Sequence, residues 1–249
     1  QQVAVTLHFA DGSVRDVTTE TTYALDASQV AHVSSSGLLT PGSGPGGAAR
    51  LVARLGDLYA EAIVEFRTPD QIRPVSYQHD VTAVLSKAGC NMGPCHGNLN
   101  GKGGFKLSLR GDDPDRDWLT ITRDFFARRI DTTHPDSSLL LLKALGQVPH
   151  EGGQRFSSDA IEAHILRSWI ANGARDDLGS VPKIASLSIF PSDRINAAPS
   201  VSQQLLVTAT FTDGTTRDVT RLAAFDVDDP TAVSVSPSGL VRRKAPGES

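Results

Sequence analysis

Apolar residues alternate from the start of the chain. Val3, Val5, Leu7 and Phe9 fall on one face of an extended segment, and Asp11-Gly12 follows as a hairpin turn. Leu205, Val207, Ala209 and Phe211 repeat the pattern ahead of Asp213-Gly214, while Leu51, Ala53 and Leu55, then Ala60, Ala62, Val64 and Phe66, predict two further strands. Between these stretches the period changes. Val81, Val84, Leu85 and Ala88 recur at i, i+3, i+4 and i+7 behind Asp80 as N-cap, and Gly89 ends the run. Pro135-Asp136 opens a second predicted helix, Ser137 to Leu145, whose Leu139-Leu140-Leu141-Leu142 run requires burial on more than one side. A third follows Ser157-Ser158-Asp159, with Ile161, Ile165 and Trp169 on one stripe and Gly173 at its end. Phe105, Leu107 and Leu109 alternate and predict a short extended stretch.

The strand-like flanks are copies of one another. Asp11-Gly12-Ser13-Val14-Arg15-Asp16-Val17-Thr18 matches Asp213-Gly214-Thr215-Thr216-Arg217-Asp218-Val219-Thr220, and the same offset of 202 places Ser36-Gly37-Leu38 on Ser238-Gly239-Leu240. Short strands with turn signals this closely spaced predict a β-sandwich for each copy. Copy two has an opening strand, Ile184 to Phe190, whose counterpart in copy one would precede residue 1. Copy one has closing strands, Arg50 to Phe66, whose counterparts would follow Ser249. Both modules are therefore expected to be incomplete and the chain to be part of a longer one. The last module would then be partly disordered or completed by a neighbouring chain. Pro69 and Pro74 mark one boundary and Leu178-Gly179-Ser180-Val181-Pro182 the other, which predicts segments 1–68, 70–180 and 184–249.

Composition narrows the function classes. The chain is 39% hydrophobic and 21% charged, ordinary for soluble globular protein. A net charge of −4 gives no basic footprint, so nucleic acid is not an expected partner. No apolar run approaches the roughly 20 residues that span a bilayer. Nothing resembles a hydrolase triad or a nucleotide-binding loop.

The chemistry-bearing stretch is Gly89-Cys90-Asn91-Met92-Gly93-Pro94-Cys95-His96-Gly97, with the only two cysteines of 249 residues. A Cys-His pair behind a nearby Cys is the attachment signature of a c-type haem, in which the thiols bind the vinyl groups and the histidine takes an axial position. Four residues separate these cysteines where the signature has two, so the extra pair must loop outward, and Gly93-Pro94 is suitable turn chemistry. Two other readings stay open. A disulfide would close only a short loop and contribute little; zinc would need two more ligands nearby. Haem c and disulfide alike imply export to the periplasm or the cell surface.

The order helix, cysteine-histidine loop, extended segment, helix, loop and terminal helix resembles a small class I cytochrome c. Residues 76–174 also resemble the cytochrome c-like domains of large planctomycete surface proteins. The resemblance rests on Cys95-His96-Gly97, Gly101-Lys102-Gly103-Gly104-Phe105-Lys106-Leu107, Pro135-Asp136-Ser137-Ser138-Leu139-Leu140 and Trp169-Ile170-Ala171-Asn172-Gly173-Ala174. The D-G-[ST]-x-R-D-V-T turn and V-S-x-S-G-L of the flanks resemble bacterial immunoglobulin-like group 2 modules, which are passive spacers or adhesive units.

These resemblances imply a multi-domain chain, with an all-α class I cytochrome c-like domain between two all-β immunoglobulin-like sandwiches. They imply one covalent haem c on Cys90 and Cys95, with His96 on the iron. Val148-Pro149-His150 falls where related domains carry a distal Met, so His150 is the expected second axial ligand and His134 the runner-up. Lys102, Arg110 and Arg155, together with Arg129, are the expected contacts of the haem propionates. The resemblances imply an electron-transfer protein before an enzyme, with redox proteins as the partners. An open distal site, as in ligand-binding or peroxidatic haem proteins, is the alternative if His150 does not coordinate; a structural protein with a Cys90–Cys95 disulfide is the third.

Overall fold

The computed structural model describes residues 1–67, 73–193 and 202–247. The predicted boundary at residues 68–70 lies outside the described residues. The chain divides into two compact units, Gln1–Ile72 with Lys183–Ser249, and Arg73–Pro182.

The first unit is built from small antiparallel sheets. Strands β1 (Thr6–His8) and β2 (Val14–Asp16) pair through the Asp11-Gly12 hairpin, and β4 (Ala31–Val33) pairs with β5 (Leu39–Pro41). β3 (Thr22–Leu25), β6 (Gly47–Leu55) and β7 (Leu58–Phe66) form a sheet in the order β3-β6-β7. The second repeat supplies β8 (Ile184–Phe190), β9 (Ser202–Gln204), β10 (Leu206–Phe211), β11 (Thr216–Asp218), β12 (Val233–Val235) and β13 (Leu240–Arg243), in the sheets β11-β10-β8 and β12-β13-β9. The period-two reading explains which face is buried: Val207, Ala209 and Phe211 of β10 are buried while the residues between them are half-exposed.

The two repeat copies reproduce each other's hydrogen bonds at the same offset. Val5 N–H donates to Thr18 Oγ1 at 2.8 Å, and Val207 N–H to Thr220 Oγ1 at 2.8 Å. Gln2 Nε2 donates to the Ser36 carbonyl at 2.7 Å, and Gln204 Nε2 to that of Ser238 at 2.9 Å. They also exchange bonds. The Gln204 amide donates to Asp16 Oδ2 at 3.0 Å, and the Gln2 amide to Asp218 Oδ2. Each repeat gives the other what it receives, the signature of a local two-fold relation. One bond without a counterpart comes from Arg221, which donates to Gln2 Oε1 at 2.7 Å and has Thr19 as its equivalent at the offset.

The second unit holds the helices. A π-helical turn, Tyr77–Val81, leads into α1 (Thr82–Lys87). The predicted cap at Asp80 moves upstream: Ser76 Oγ accepts from the His79 amide at 3.1 Å, and Asp80 Oδ2 accepts from the Ser76 amide at 2.8 Å, a reciprocal cap. Helix α2 (Pro114–Thr122) has Asp113 as N-cap and Pro114 in its first turn, a start signal present in the sequence but not read there. A 3-10 turn, Pro135–Ser137, precedes α3 (Leu139–Ala144), so the predicted second helix is shorter than expected. Helix α4 (Ile161–Ala171) buries Leu166, Trp169 and Ile170, each worth about 1.5–3 kcal/mol. Gly173, at φ 90°, follows its end. The Trp169 ring packs on Tyr77 with centroids 5.5 Å apart. The extended stretch expected at residues 105–109 is reduced to one isolated bridge, Lys102 with Phe105.

This architecture corrects the expected fold class. Of the described residues 27% are strand and 18% helix, a β protein of several small sheets with a few short helices. An all-α class I cytochrome c-like domain between two immunoglobulin-like sandwiches is not what forms. In the middle unit Gly89, Gly111, Gly146 and Gly173 adopt positive φ just beyond α1, ahead of α2, and beyond α3 and α4, so every helix stays short. In the flanks the two repeats bond to each other within one unit instead of closing two separate sandwiches. The resemblance to planctomycete-type cytochrome c-like domains flanked by group 2 modules therefore fails at the level of fold.

Candidate functional site

The Cys90–Gly97 loop begins where α1 ends. Its amide at Cys90 donates to the Leu85 carbonyl at 2.8 Å, and the His96 amide returns to the Cys90 carbonyl at 3.0 Å. That bond closes the detour: Met92 and Pro94 are exposed, while Cys90, Cys95 and His96 all line one cavity of about 300 Å³. Gly97 is indispensable to the closure, since a Cβ there would lie 2.0 Å from the Asn91 carbonyl oxygen. Both cysteines are free thiols, so the disulfide reading has no counterpart here. Burial pushes the Cys90 thiol up to about 11, with Arg155 opposing the shift.

His150 reaches the same cavity from the loop ahead of α4. The His96 and His150 rings are parallel to within 9° and their centres lie 6.3 Å apart. Each ring is anchored by Nδ1: His96 to the Phe105 carbonyl at 2.9 Å and His150 to the Gly153 carbonyl at 2.8 Å. Both therefore keep Nε2 for another partner. Burial holds the His96 pKa below the ordinary histidine value, which favours the neutral, ligating form.

Cations ring the cavity. Lys102, Arg128, Arg129, Lys143 and Arg155 line it against one carboxylate, Glu151, which pairs with Lys102 at 2.7 Å. Arg129 is only 5% exposed. It donates to the Thr120 carbonyl at 2.9 Å and lies over the Phe105 ring at 4.5 Å and the Phe125 ring at 5.1 Å. Arg155 ties the two halves of the site together, donating through Nε to the Ala88 carbonyl at 2.7 Å and through Nη1 to the Gly152 carbonyl at 3.1 Å. Phe105, Leu139, Leu140, Phe156 and Leu166 make the remaining wall apolar.

Of the residues expected from sequence, Cys90, Cys95, His96, Lys102, Arg129, His150 and Arg155 meet at this cavity. Arg110 does not line it; it is exposed in a left-handed turn at φ 57°. His134 is likewise on the surface, 3.7 Å from Asp131. His79 is buried and bonds the Pro182 carbonyl at 2.8 Å, a structural role. Met92, at 37% exposed, does not line the cavity. Sequence reasoning passed over Arg128 and Lys143. The run Phe125-Phe126-Ala127-Arg128-Arg129 carried the signal, two aromatics beside two cations.

No family model matches the chain, and no curated protein matches it. Among the described residues no group of three or more His, Cys, Asp or Glu could hold a metal ion. Two cysteines and their histidine neighbour thus do not carry the family resemblance drawn from sequence. The site has two imidazoles and needs a group that brings its own remaining ligands. The two ring centres lie 6.3 Å apart with their planes parallel to within 9°, and both imidazoles line the one cavity. Parallel imidazoles, two thiols at the wall, an apolar lining and a cationic rim together fit a haem with its two carboxylates.

Among the described residues no helix is long and apolar enough to cross a membrane.

Proposed function

We propose that the unit Arg73–Pro182 carries one covalently attached haem c and that the protein transfers single electrons outside the cytoplasm. The observation that supports this reading is the parallel pair His96 and His150, 6.3 Å between ring centres, with both Nδ1 atoms engaged by backbone carbonyls. Haem supplies a one-electron Fe(III)/Fe(II) couple.

The chain's own residues have separable tasks. Cys90 and Cys95 would anchor the group through their sulfurs, and His96 and His150 would hold the iron through Nε2. The carbonyls of Phe105 and Gly153 fix the ring orientations and raise the basicity of the ligating nitrogens. Arg129, Lys102 and Arg155 would receive the carboxylates. Phe105, Leu140, Phe156 and Leu166 exclude water from the cavity, which lowers the local dielectric. If His96 and His150 both held the iron, no position would remain for oxygen or peroxide, which would favour electron transfer over ligand-binding or peroxidatic chemistry. Two imidazoles also set a lower potential than a Met/His pair would.

Expressed with haem-attachment machinery, the protein should be red and should keep its colour through acid-acetone extraction. A colourless product with two titratable thiols overturns the reading. Rapid carbon monoxide binding by the ferrous protein would favour the open-site alternative.

A further inference from the structure

His150 sits in a turn that is closed on itself. Its carbonyl accepts from the Gly153 amide at 2.9 Å, and its Nδ1 engages the Gly153 carbonyl at 2.8 Å. Gly152 lies against the ring: a Cβ there would stand 3.0 Å from Cε1 and 3.3 Å from Nε2 of His150. Ring and turn therefore move as one body, and the direction of Nε2 is set by what holds the two ends of that body. At the far end Arg155 donates through Nη1 to the Gly152 carbonyl at 3.1 Å and through its amide to the Ala144 carbonyl at 2.8 Å. The near end begins at α3. Gly146, at φ 69°, follows that helix, and the Gln147 amide donates back to the Leu142 carbonyl at 3.0 Å. Val148 leads to Pro149, which has no N–H to give. The Pro149 carbonyl is taken by Lys143 Nζ at 2.6 Å.

We infer that Lys143 is a positioning residue for the second axial ligand, acting through the Pro149–His150 peptide, a role that rests on the haem reading. The Pro149 carbonyl and the His150 nitrogen belong to one planar unit, so a donor on that carbonyl fixes the plane from which the His150 side chain departs. Lys143 reaches it from the last turn of α3 and itself lines the cavity, so helix, loop and ring share one frame. An ammonium is a stronger donor to a carbonyl than a neutral group would be. The contact also separates Lys143 from Arg129: its charge is engaged by the ligand loop, while the Arg129 guanidinium faces the place of the carboxylates. Without Lys143 the turn keeps its internal bonds but pivots on Arg155, and the ring leaves its parallel arrangement with His96.

Three variants of the full chain test this. Lys143→Met keeps an unbranched apolar stem and removes the donor, and Lys143→Arg keeps a donor. Lys106→Met, at an exposed lysine that does not line the cavity, controls for the lost charge. In the haem-loaded protein, Lys143→Met should show a high-spin fraction at unchanged haem content. Its ferrous form should bind carbon monoxide at least about tenfold faster, as expected for the loss of one charge-assisted hydrogen bond. Lys143→Arg and Lys106→Met should stay low-spin. In the haem-free protein, NMR order parameters over residues 150–153 should fall in Lys143→Met from about 0.85 toward about 0.6. The Gly153 amide should keep its exchange protection there, because the turn moves as a body. A low-spin Lys143→Met with an unchanged carbon monoxide rate overturns the assignment. So does an equal change in Lys106→Met, or a Lys143→Arg that stays high-spin. Lost protection at Gly153 also overturns it, since Lys143 would then only be stabilising the turn. A wild-type chain that takes up no haem fails the haem reading and not the tether, which the order parameters then decide.

Discussion

His96 and His150 hold their rings parallel to within 9° with centres 6.3 Å apart, although 54 positions separate them in the chain. The alignment has a local cause on each side. A backbone carbonyl engages each Nδ1, and Arg155 bridges the carbonyls of Ala88 and Gly152, fastening the end of α1 to the His150 loop. Each histidine is thus positioned by its own loop, and the two loops are positioned by one guanidinium.

His150→Ala should convert a low-spin absorption spectrum to high-spin while haem content stays constant, since the sulfur bonds do not involve His150. His150→Met should retain the low-spin state and raise the midpoint potential, because a thioether favours the reduced iron. Absorption spectroscopy and redox titration read both. An unchanged spectrum in His150→Ala would remove His150 from the site.

The closed loop gives a sharp contrast between two glycines. Gly97→Ala would force a Cβ to within 2.0 Å of the Asn91 carbonyl oxygen, whereas Gly93→Ala meets nothing within 4 Å. The first should destabilise the unit by about 3 kcal/mol or more, and the second should stay within about 0.5 kcal/mol. Denaturant melts of the two variants, with haem content measured in parallel, decide it.

The haem-free protein should weaken in mild alkali. Cys90 keeps its proton in the folded state up to about pH 11, against an ordinary thiol value near 9.0. Once the pH exceeds the ordinary value, the unfolded chain releases a proton that the folded chain retains. Stability from this group is therefore complete below about pH 9 and lost as pH rises to about 11. Denaturation midpoints followed across that window should fall, and Cys90→Ala should flatten the decline. Alkylation of Cys90 at pH 8 should also be slow and should accelerate about tenfold per pH unit.

The two-fold relation between the repeats predicts a matched pair of defects. Asp16 is buried and accepts from the Gln204 amide at 3.0 Å, Gln203 Nε2 at 2.9 Å and the Thr18 amide at 2.9 Å. Asp16→Ala should cost about 2–4 kcal/mol through the donors it orphans. Asp218→Ala should be similar, and Asp11→Ala, in an exposed turn, no more than about 1 kcal/mol. Urea titration of the three variants ranks them, and equal effects for Asp11 and Asp16 would contradict the reciprocal contact.

Much of the local chemistry was legible along the chain. Alternation at Leu205 to Phe211 marks β10 because a half-buried strand must bury every second residue, and Gly173 closes α4 because only a residue tolerant of positive φ can turn there. The cysteine-histidine loop was legible because its residues are adjacent. Elsewhere the local signals were too weak. Helix α2 was missed despite Asp113-Pro114, since its stripe is interrupted by charged residues at Asp115, Arg116 and Asp117. Arg110 was drawn into the site by charge alone, yet its backbone turns left-handed at φ 57° and faces solvent.

By itself the sequence determined the repeat, the strand periods of the flanks, the helical period of the middle and the identity of the reactive loop. Each of these is a property of neighbouring residues, fixed by backbone geometry and side-chain alternation. Tertiary structure alone decided the rest. It brought His150 opposite His96 and sank Arg129 between Phe105 and Phe125, and it exchanged Asp16 and Asp218 between the repeats. It also decided against separate sandwiches and an all-α domain. Those outcomes depend on which buried polar groups find partners across long stretches of chain, and one-dimensional spacing carries no record of that pairing.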